Sequence, residues 1–371
     1  MKSITDIIGG GQILMNISYD IQDCFEGFLT DEHRTFLAML GTLVEHLPII
    51  EKTFNGIGRR PYENTPILRA FLAKAYFQIE TNSELRKRLL IDSSLRKICG
   101  FVKVPSPATF SRRLSDFSEK HVIEQTLYKM VREYHKSMIV GHVSRDSTAI
   151  LAREKPVNKK KEISKPKFKR GRPLKGEIRQ KEKNRLTSQL SMHSGKAFKQ
   201  LNTNCAWGCK KNSQGKTETW KGYKLHIDVT DMGIPISALT TGANVHDSQV
   251  SIPLEKLTEK NVTHLYSVMD AAYDAPQIRL YSEGQGRVAL IDQNKRRGDS
   301  RMPMDPAEKQ RFKIRSVVER ANAHLKDWLL PSKIMVRGYT KVNFTLMVGV
   351  LCLAALKIIQ YFILPTQKST T

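Results

Sequence analysis

From Arg153 to Arg185 the chain is crowded with lysine and arginine and nearly free of large apolar side chains. Pro156, Pro166 and Pro173 interrupt it. Such a stretch cannot build a hydrophobic core, so it reads as a linker or insertion between two better-folding regions. The rest is well supplied for folding. Of 371 residues 40% are apolar, and at roughly 100–200 residues per domain the length allows two or three domains. The 61 basic residues outnumber the 36 acidic ones, for a formal charge of +25. That excess calls for a polyanionic partner, nucleic acid first and an anionic membrane surface second.

Before the basic stretch, residues 1 to about 140 read as helical. Leu68, Phe71, Leu72, Ala75, Tyr76 and Ile79 recur at helical spacing and make one apolar face. Leu85, Leu89 and Leu90 continue the pattern. Gly100 is a helix stop, and Ser106-Pro107 a restart with Ser as N-cap. The next helix carries Arg112, Arg113 and Lys120, a basic face for DNA or simply for water.

After residue 215 the pattern turns to strands. Trp220–Thr230 and Ile234–Thr240 flank a turn at Asp231-Met232-Gly233. Val262–Met269 reads as a buried strand, and Val288–Ile291 as another. Val143–Leu151, ahead of the basic stretch, is strand-like too. Residues 306–329 read as one helix, capped by Asp305, opened by Pro306 and ended by Pro331. Strands alternating with helices indicate a mixed α/β domain.

Two features bear on compartment. Val342–Leu364 is strongly apolar, but Lys357 and Gln360 interrupt it, so it reads as a buried core helix rather than a membrane span. The N-terminus lacks the basic start and apolar core of a signal peptide. The five cysteines are odd in number and irregular in spacing, which fits a reducing compartment. Cys205 and Cys209 are at most half of a zinc site.

Three carboxylates stand out by position. Asp146 lies in the strand-like segment at 143–151, and Asp270 comes just after the strand ending at Met269. Ligands of open α/β sheets collect beyond the carboxyl ends of strands. Glu319 lies on the 306–329 helix, where Val318, Ala321, Leu325 and Trp328 form the stripe expected to pack on the sheet. Phe312, Arg315, Glu319 and Lys326 form a second stripe beside it. Taken alone, Arg315 and Glu319 are an ordinary i, i+4 ion pair. With two strand-end aspartates on a basic chain, they suit phosphodiester chemistry. That chemistry places charge on an entering and a leaving oxygen, and two Mg²⁺ ions held by hard carboxylate oxygens stabilise both.

These residues carry a resemblance. The spacing Phe312-x2-Arg315-x3-Glu319-x6-Lys326 resembles the Tyr-x2-Arg-x3-Glu-x6-Lys signature of DDE transposases of bacterial insertion sequences, the insertion-sequence-four type, with Phe in place of Tyr. Asp146-Ser147-Thr148 and Met269-Asp270-Ala271-Ala272-Tyr273-Asp274 are similar to that family's first and second aspartate motifs. Trp220–His226 and Gly242–Ser248 resemble the intervening strands and loop, and Leu68–Phe101 the preceding helical domain. The gap from Asp270 to Glu319 is too short for the β-insertion of some relatives, and the basic insertion has no counterpart. Lys169-Arg170-Gly171-Arg172-Pro173 is similar to an AT-hook, whose arginines enter the minor groove; a plain charged linker is the alternative.

The resemblance implies an α/β fold: an RNase H-like catalytic domain, a mixed sheet flanked by helices, preceded by an all-helical N-terminal domain. The expected division is 1–140 for the helical domain and 141–364 for the catalytic one, interrupted by a basic linker or insertion at 153–215. Asp146, Asp270 and Glu319 are the expected catalytic and metal-binding set, for two Mg²⁺ or Mn²⁺ ions. Arg315, Lys326 and Phe312 are expected near the scissile phosphate, and Lys169, Arg170, Arg172, Arg112 and Arg113 on DNA. The expected partners are terminal inverted repeats, target DNA and further copies of the chain in a synaptic complex, in the cytoplasm at the nucleoid and with no membrane. A non-transposing nuclease on the same fold and an inactive DNA-binding derivative are the alternatives.

Overall fold

The computed structural model describes residues 29–48, 61–156, 184–211, 214–294 and 303–364. Helices α1 (Asp31–Val44), α2 (Asn64–Tyr76), α3 (Asn82–Ile91), α4 (Ser93–Cys99), α5 (Pro107–Glu119) and α6 (Val122–Tyr134) precede the sheet. Their ends obey local chemistry. Thr81 and Glu84 form a capping box on α3. Gly100, at φ 87°, takes the left-handed turn that closes α4. Ser106 Oγ accepts from Thr109 N at 3.3 Å, with Pro107 at the first position of α5. The α2 helix stops at Tyr76, short of Ile79. Gln78 turns left-handed at φ 52°, and Ile79 N bonds back to Lys74 O at 2.8 Å. Leu85 and Leu89 are buried while Leu90, one step round the helix, is exposed.

Strand β1 (Ile139–Leu151) opens a six-stranded mixed sheet. The others are β2 (Ala206–Lys211), β3 (Thr217–Thr230), β4 (Pro235–Gly242), β5 (Thr263–Met269) and β6 (Val288–Ile291). The order is β2-β3-β1-β5-β6, with β4 also on β3. Strand β3 is antiparallel to β1, β2 and β4, whereas β1, β5 and β6 run parallel. The remaining helices are α7 (Arg185–Ser191), α8 (Ser194–Lys199), α9 (Ser248–Thr258), α10 (Pro276–Gly284), α11 (Pro306–Phe312), α12 (Ser316–His324) and α13 (Tyr339–Ile358).

Strand β2 and helices α7 and α8 correct the reading of 153–215 as insertion throughout, since the chain has rejoined the sheet by Ala206. Strand β2 lacks an apolar alternation because it is an edge strand. Trp207 and Cys209 face outward, and Gly208 lies under the Trp220 ring, where a Cβ would come within 2.5 Å of it.

Helix α13 is buried along nearly its whole length, against α2, α5 and α6 on one side and β4 on the other. It is long and apolar enough to cross a membrane, yet most of it lies inside the protein. One apolar core therefore runs from the N-terminal helices through α13 to the sheet.

The expected single helix at 306–329 is broken. A 3₁₀ turn at Lys313–Arg315 separates α11 from α12, and a π-helical turn at Leu325–Leu329 comes next. Leu330 N bonds to Leu325 O, five residues back, at 2.8 Å. The wider turn carries Trp328 off the buried stripe, and it is 64% exposed, while Val318, Ala321 and Leu325 pack inward as expected.

Candidate active site

Register brings the two aspartates together. Ser144 of β1 pairs with Val268 of the parallel neighbour β5. Two residues beyond that last pair stand Asp146, which continues in β1, and Asp270, the first residue after β5, so the two carboxylates flank the point where the strands separate. Strand β5 ends there because Asp270 Oδ1 accepts from Ala272 N at 3.0 Å and starts a 3₁₀ turn. Strand β1 continues along β3. The parting of the two strands opens a crevice at the end of β5.

Helix α12 and the turn before it close one side. Arg315 Nη1 lies 2.6 Å from Glu319 Oε1, and Nη2 lies 3.8 Å from Asp270 Oδ2. Asn322, one turn past Glu319, donates from Nδ2 to Asp146 Oδ2 at 3.0 Å. Glu319 is half exposed and turned onto Arg315, so the ordinary ion pair is present. Among the described residues no three His, Cys, Asp or Glu side chains gather closely enough to hold a metal ion.

The electrostatics mark the two aspartates as short of positive charge. Burial pushes the Asp146 carboxyl up to about 6, and Asp270 adds to the rise, against Arg315, Asn322 and the Ser147 amide. Burial also raises Asp270, with Asp247 adding and Arg315, the Ala272 amide and His246 opposing. Lys326 is lowered by burial and by Lys210, while Asp146 pulls it the other way. Two adjacent desolvated carboxylates favour either a proton or a cation. Their hard oxygens fit a divalent ion such as Mg²⁺ or Mn²⁺.

Arg145, next to Asp146 in β1, points to the opposite face of the sheet. Its guanidinium bonds Asp228 through Nε at 2.7 Å and Nη2 at 2.6 Å, and Glu255 of α9 at 2.6 Å. Nη1 bonds the Ser251 backbone and hydroxyl oxygens at 3.0 and 2.9 Å. His264 and Ser267 of β5 bond the other Glu255 oxygen. This network joins β1, β3, β5 and α9 directly behind the aspartates.

The other sequence candidates fall in different places. Arg112 is exposed on α5. Arg113 instead donates to Tyr62 O at 3.2 Å and pairs with Asp116 at 3.5 Å, which binds it into the fold. Phe312 is half-buried at the end of α11. Lys169, Arg170 and Arg172 lie outside the described residues. Trp220 is buried and donates Nε1 to Tyr223 O. Asp274, at the end of the second aspartate motif, accepts from Arg279 Nη2 and Asn294 N. Two features escaped the sequence reading. Asn322 shares the Arg315–Glu319 stripe at i+7 and i+3, so spacing could have found it, whereas a buried Arg145 network looks in sequence like surface charge.

Residues 141–355 match the family described as the transposase DDE domain, and residues 23–116 match a second family described as a transposase domain. The first match spans more than half of the chain, and it contains Asp146, Asp270 and Glu319. The protein belongs to the transposase DDE domain family. It is a transposase, a DNA-cleaving enzyme. Among solved structures it is similar to a piggyBac transposase synaptic complex with hairpin DNA, determined by cryo-EM. That likeness is distant, with 10% identity and a TM-score of 0.43 over 96% of this chain and 77% of that one. No curated protein matches the chain.

Proposed function

We propose that Asp146, Asp270 and Glu319 form the catalytic carboxylate set and hold two Mg²⁺ ions, with Mn²⁺ as a substitute. The observation that carries this reading is that Asp146, inside β1, and Asp270, just past the end of β5, flank the point where the two strands part, with α12 alongside. When bound, the ions stabilise charge on the entering and leaving oxygens. Water first attacks the phosphodiester at the element end, and the freed 3′-hydroxyl then attacks target DNA.

Arg315 serves two states. In the free protein it lies loosely against Asp270 and holds Glu319. A DNA phosphate competes for the guanidinium and releases Glu319 to turn toward the aspartates. Asn322 keeps Asp146 oriented through its amide. Lys326 lies within the field of Asp146 and supplies positive charge near the scissile phosphate. Phe312 has no hydroxyl, so it contributes packing there and no hydrogen bond.

The same reading takes the protein as the insertion-sequence-four type, acting on terminal inverted repeats as a homo-oligomer at the nucleoid in the cytoplasm. Its catalytic domain, 141–364, is RNase H-like, a reading supported by the antiparallel β1/β3/β4 set joined to the parallel β5 and β6. Residues 1–140 form the helical DNA-binding and oligomerisation domain. Arg112 and the basic run with Lys169, Arg170 and Arg172 hold DNA phosphates; Arg113 is committed to Tyr62 and Asp116 and contributes less.

The test is a cleavage and strand-transfer assay on DNA bearing the element's ends, with Mg²⁺. Glu319→Gln is expected to bind DNA and lose both steps. Equal activity in that variant leaves Glu319 as a mere partner of Arg315. Cleavage without joining in the wild type identifies a nuclease, and DNA binding with neither step an inactive derivative.

A further inference from the structure

Behind Asp146 lies a small polar cluster that the proposed reaction does not use. Asp247 sits at the end of the loop between β4 and α9. Its Oδ1 accepts from Lys224 Nζ at 2.9 Å, and the hydroxyl of Ser147, the residue after Asp146, also bonds it. Burial raises this carboxyl, but His226, Lys224 and the two hydrogen bonds outweigh burial and hold it below its ordinary value. Asp247 therefore stays ionised.

Two buried polar atoms within this carboxylate's influence have no hydrogen-bond partner among the described residues. His226 is fully buried; its Nε2 lies 2.9 Å from Thr241 Oγ1. Its Nδ1 stands 3.8 Å from Asp247 Oδ1, beyond hydrogen-bond range, and has no partner among the described residues. Tyr273 arrives from the side of the second aspartate, at the end of the turn that Asp270 starts. Its side chain is 1% exposed, and its hydroxyl likewise has no partner among the described residues. Of the charged groups around that hydroxyl, Asp247 acts on it most strongly, ahead of Asp146.

Orphaned buried donors and acceptors are costly, and proteins satisfy them with internal water that makes about three hydrogen bonds. We propose that one buried water joins Tyr273 Oη, His226 Nδ1 and the Asp247 carboxylate, making a strap that sets the spacing of Asp146 and Asp270. One end of the strap is Ser147, bonded to Asp247 and adjacent to Asp146. The other is Tyr273, three residues past Asp270. Tyr273 and Asp247 are thus positioning residues, acting through the two aspartates. Their role rests on reading those aspartates as cation ligands. Outer partners of this kind tune metal affinity by about 10- to 100-fold.

The test uses the full chain with Tyr273→Phe, Asp247→Asn and the double variant. Free Mn²⁺ is titrated by electron paramagnetic resonance, and metal-free unfolding is followed in urea. Each single variant is expected to weaken Mn²⁺ binding about tenfold, and the double variant to lose little more than either. The unfolding data are expected to show the same non-additivity. A merely structural role shifts unfolding and leaves Mn²⁺ affinity in place. Unchanged affinity in Tyr273→Phe, or additive losses in the double variant, overturns the strap. Failure of the wild type to bind Mn²⁺ overturns the cation reading and the positioning role with it, while additivity in urea still decides whether the strap exists.

Discussion

Arg145 and Asp146 are neighbours in one strand and face opposite sides of one sheet, and the two sides treat charge in opposite ways. Behind the sheet, Arg145 meets Asp228 and Glu255 with nearly every donor used, and the Glu255 carboxyl is held far below its ordinary value despite complete burial. In front, Asp146 and Asp270 share the partial attention of Arg315, and both carboxyls are pushed up. The rear cluster is neutralised within the protein and acts as a strut. The front cluster is left short of positive charge, which is what the proposed cation site requires.

The largest effect is expected behind the sheet. Arg145→Met leaves Asp228 buried without a cation and Glu255 with only His264, Ser267 and Arg287, and should cost about 3–5 kcal/mol in urea unfolding at pH 7. A loss under about 1 kcal/mol would mean the rear cluster relaxes or hydrates, and would erase the contrast.

In front, removal of charge should stabilise. The folded-state carboxyl of Asp146 is raised from 3.8 to about 6. Its contribution to stability is present below pH 3.8 and is lost as pH rises through 6. Asp146→Asn should therefore gain up to about 3 kcal/mol over wild type at about pH 8 without metal, and nothing at about pH 3.5. Equal stabilities at the higher pH would show that Asp146 is not short of charge.

Smaller effects sharpen the picture at its edges. Replacing Lys169, Arg170 and Arg172 by Ala should reduce the slope of log affinity for DNA against log salt by about 3 if each meets one phosphate. Arg112→Ala should reduce it by about 1, and Arg113→Ala by less, because Arg113 is held by Tyr62 and Asp116. Arg315→Gln should shift unfolding by under about 1 kcal/mol, since Glu319 is half exposed. Its loss should show in DNA cleavage instead.

Much of the front face was legible in the sequence. Runs of β-forming and apolar residues located β1, β3, β4, β5 and β6; Asp270 falls just past a strand end, while Asp146 lies inside β1. Caps at Ser106 and Asp305 formed as their side-chain chemistry requires. The features that stayed hidden depend on tertiary pairing. Arg145 and Asp228 are charged residues in strands, and only register shows them opposite each other. In strand β2, Trp207 and Cys209 face outward and Gly208 lies under Trp220, so its composition resembles a linker. Trp328 continued a helical stripe on paper, but a π-turn rotated it into solvent. The Arg315–Glu319 pair was legible from its i, i+4 spacing.

The most direct measurement is the thermal unfolding midpoint of wild type and Asp146→Asn at about pH 8, above the raised Asp146 value, each with and without Mn²⁺. The variant is expected to be the more stable protein without metal. Mn²⁺ is expected to raise the wild-type midpoint and leave that of the variant in place. An equal Mn²⁺ response in both proteins, or a wild type more stable than Asp146→Asn without metal, would contradict the assignment of Asp146 as a charge-starved cation ligand.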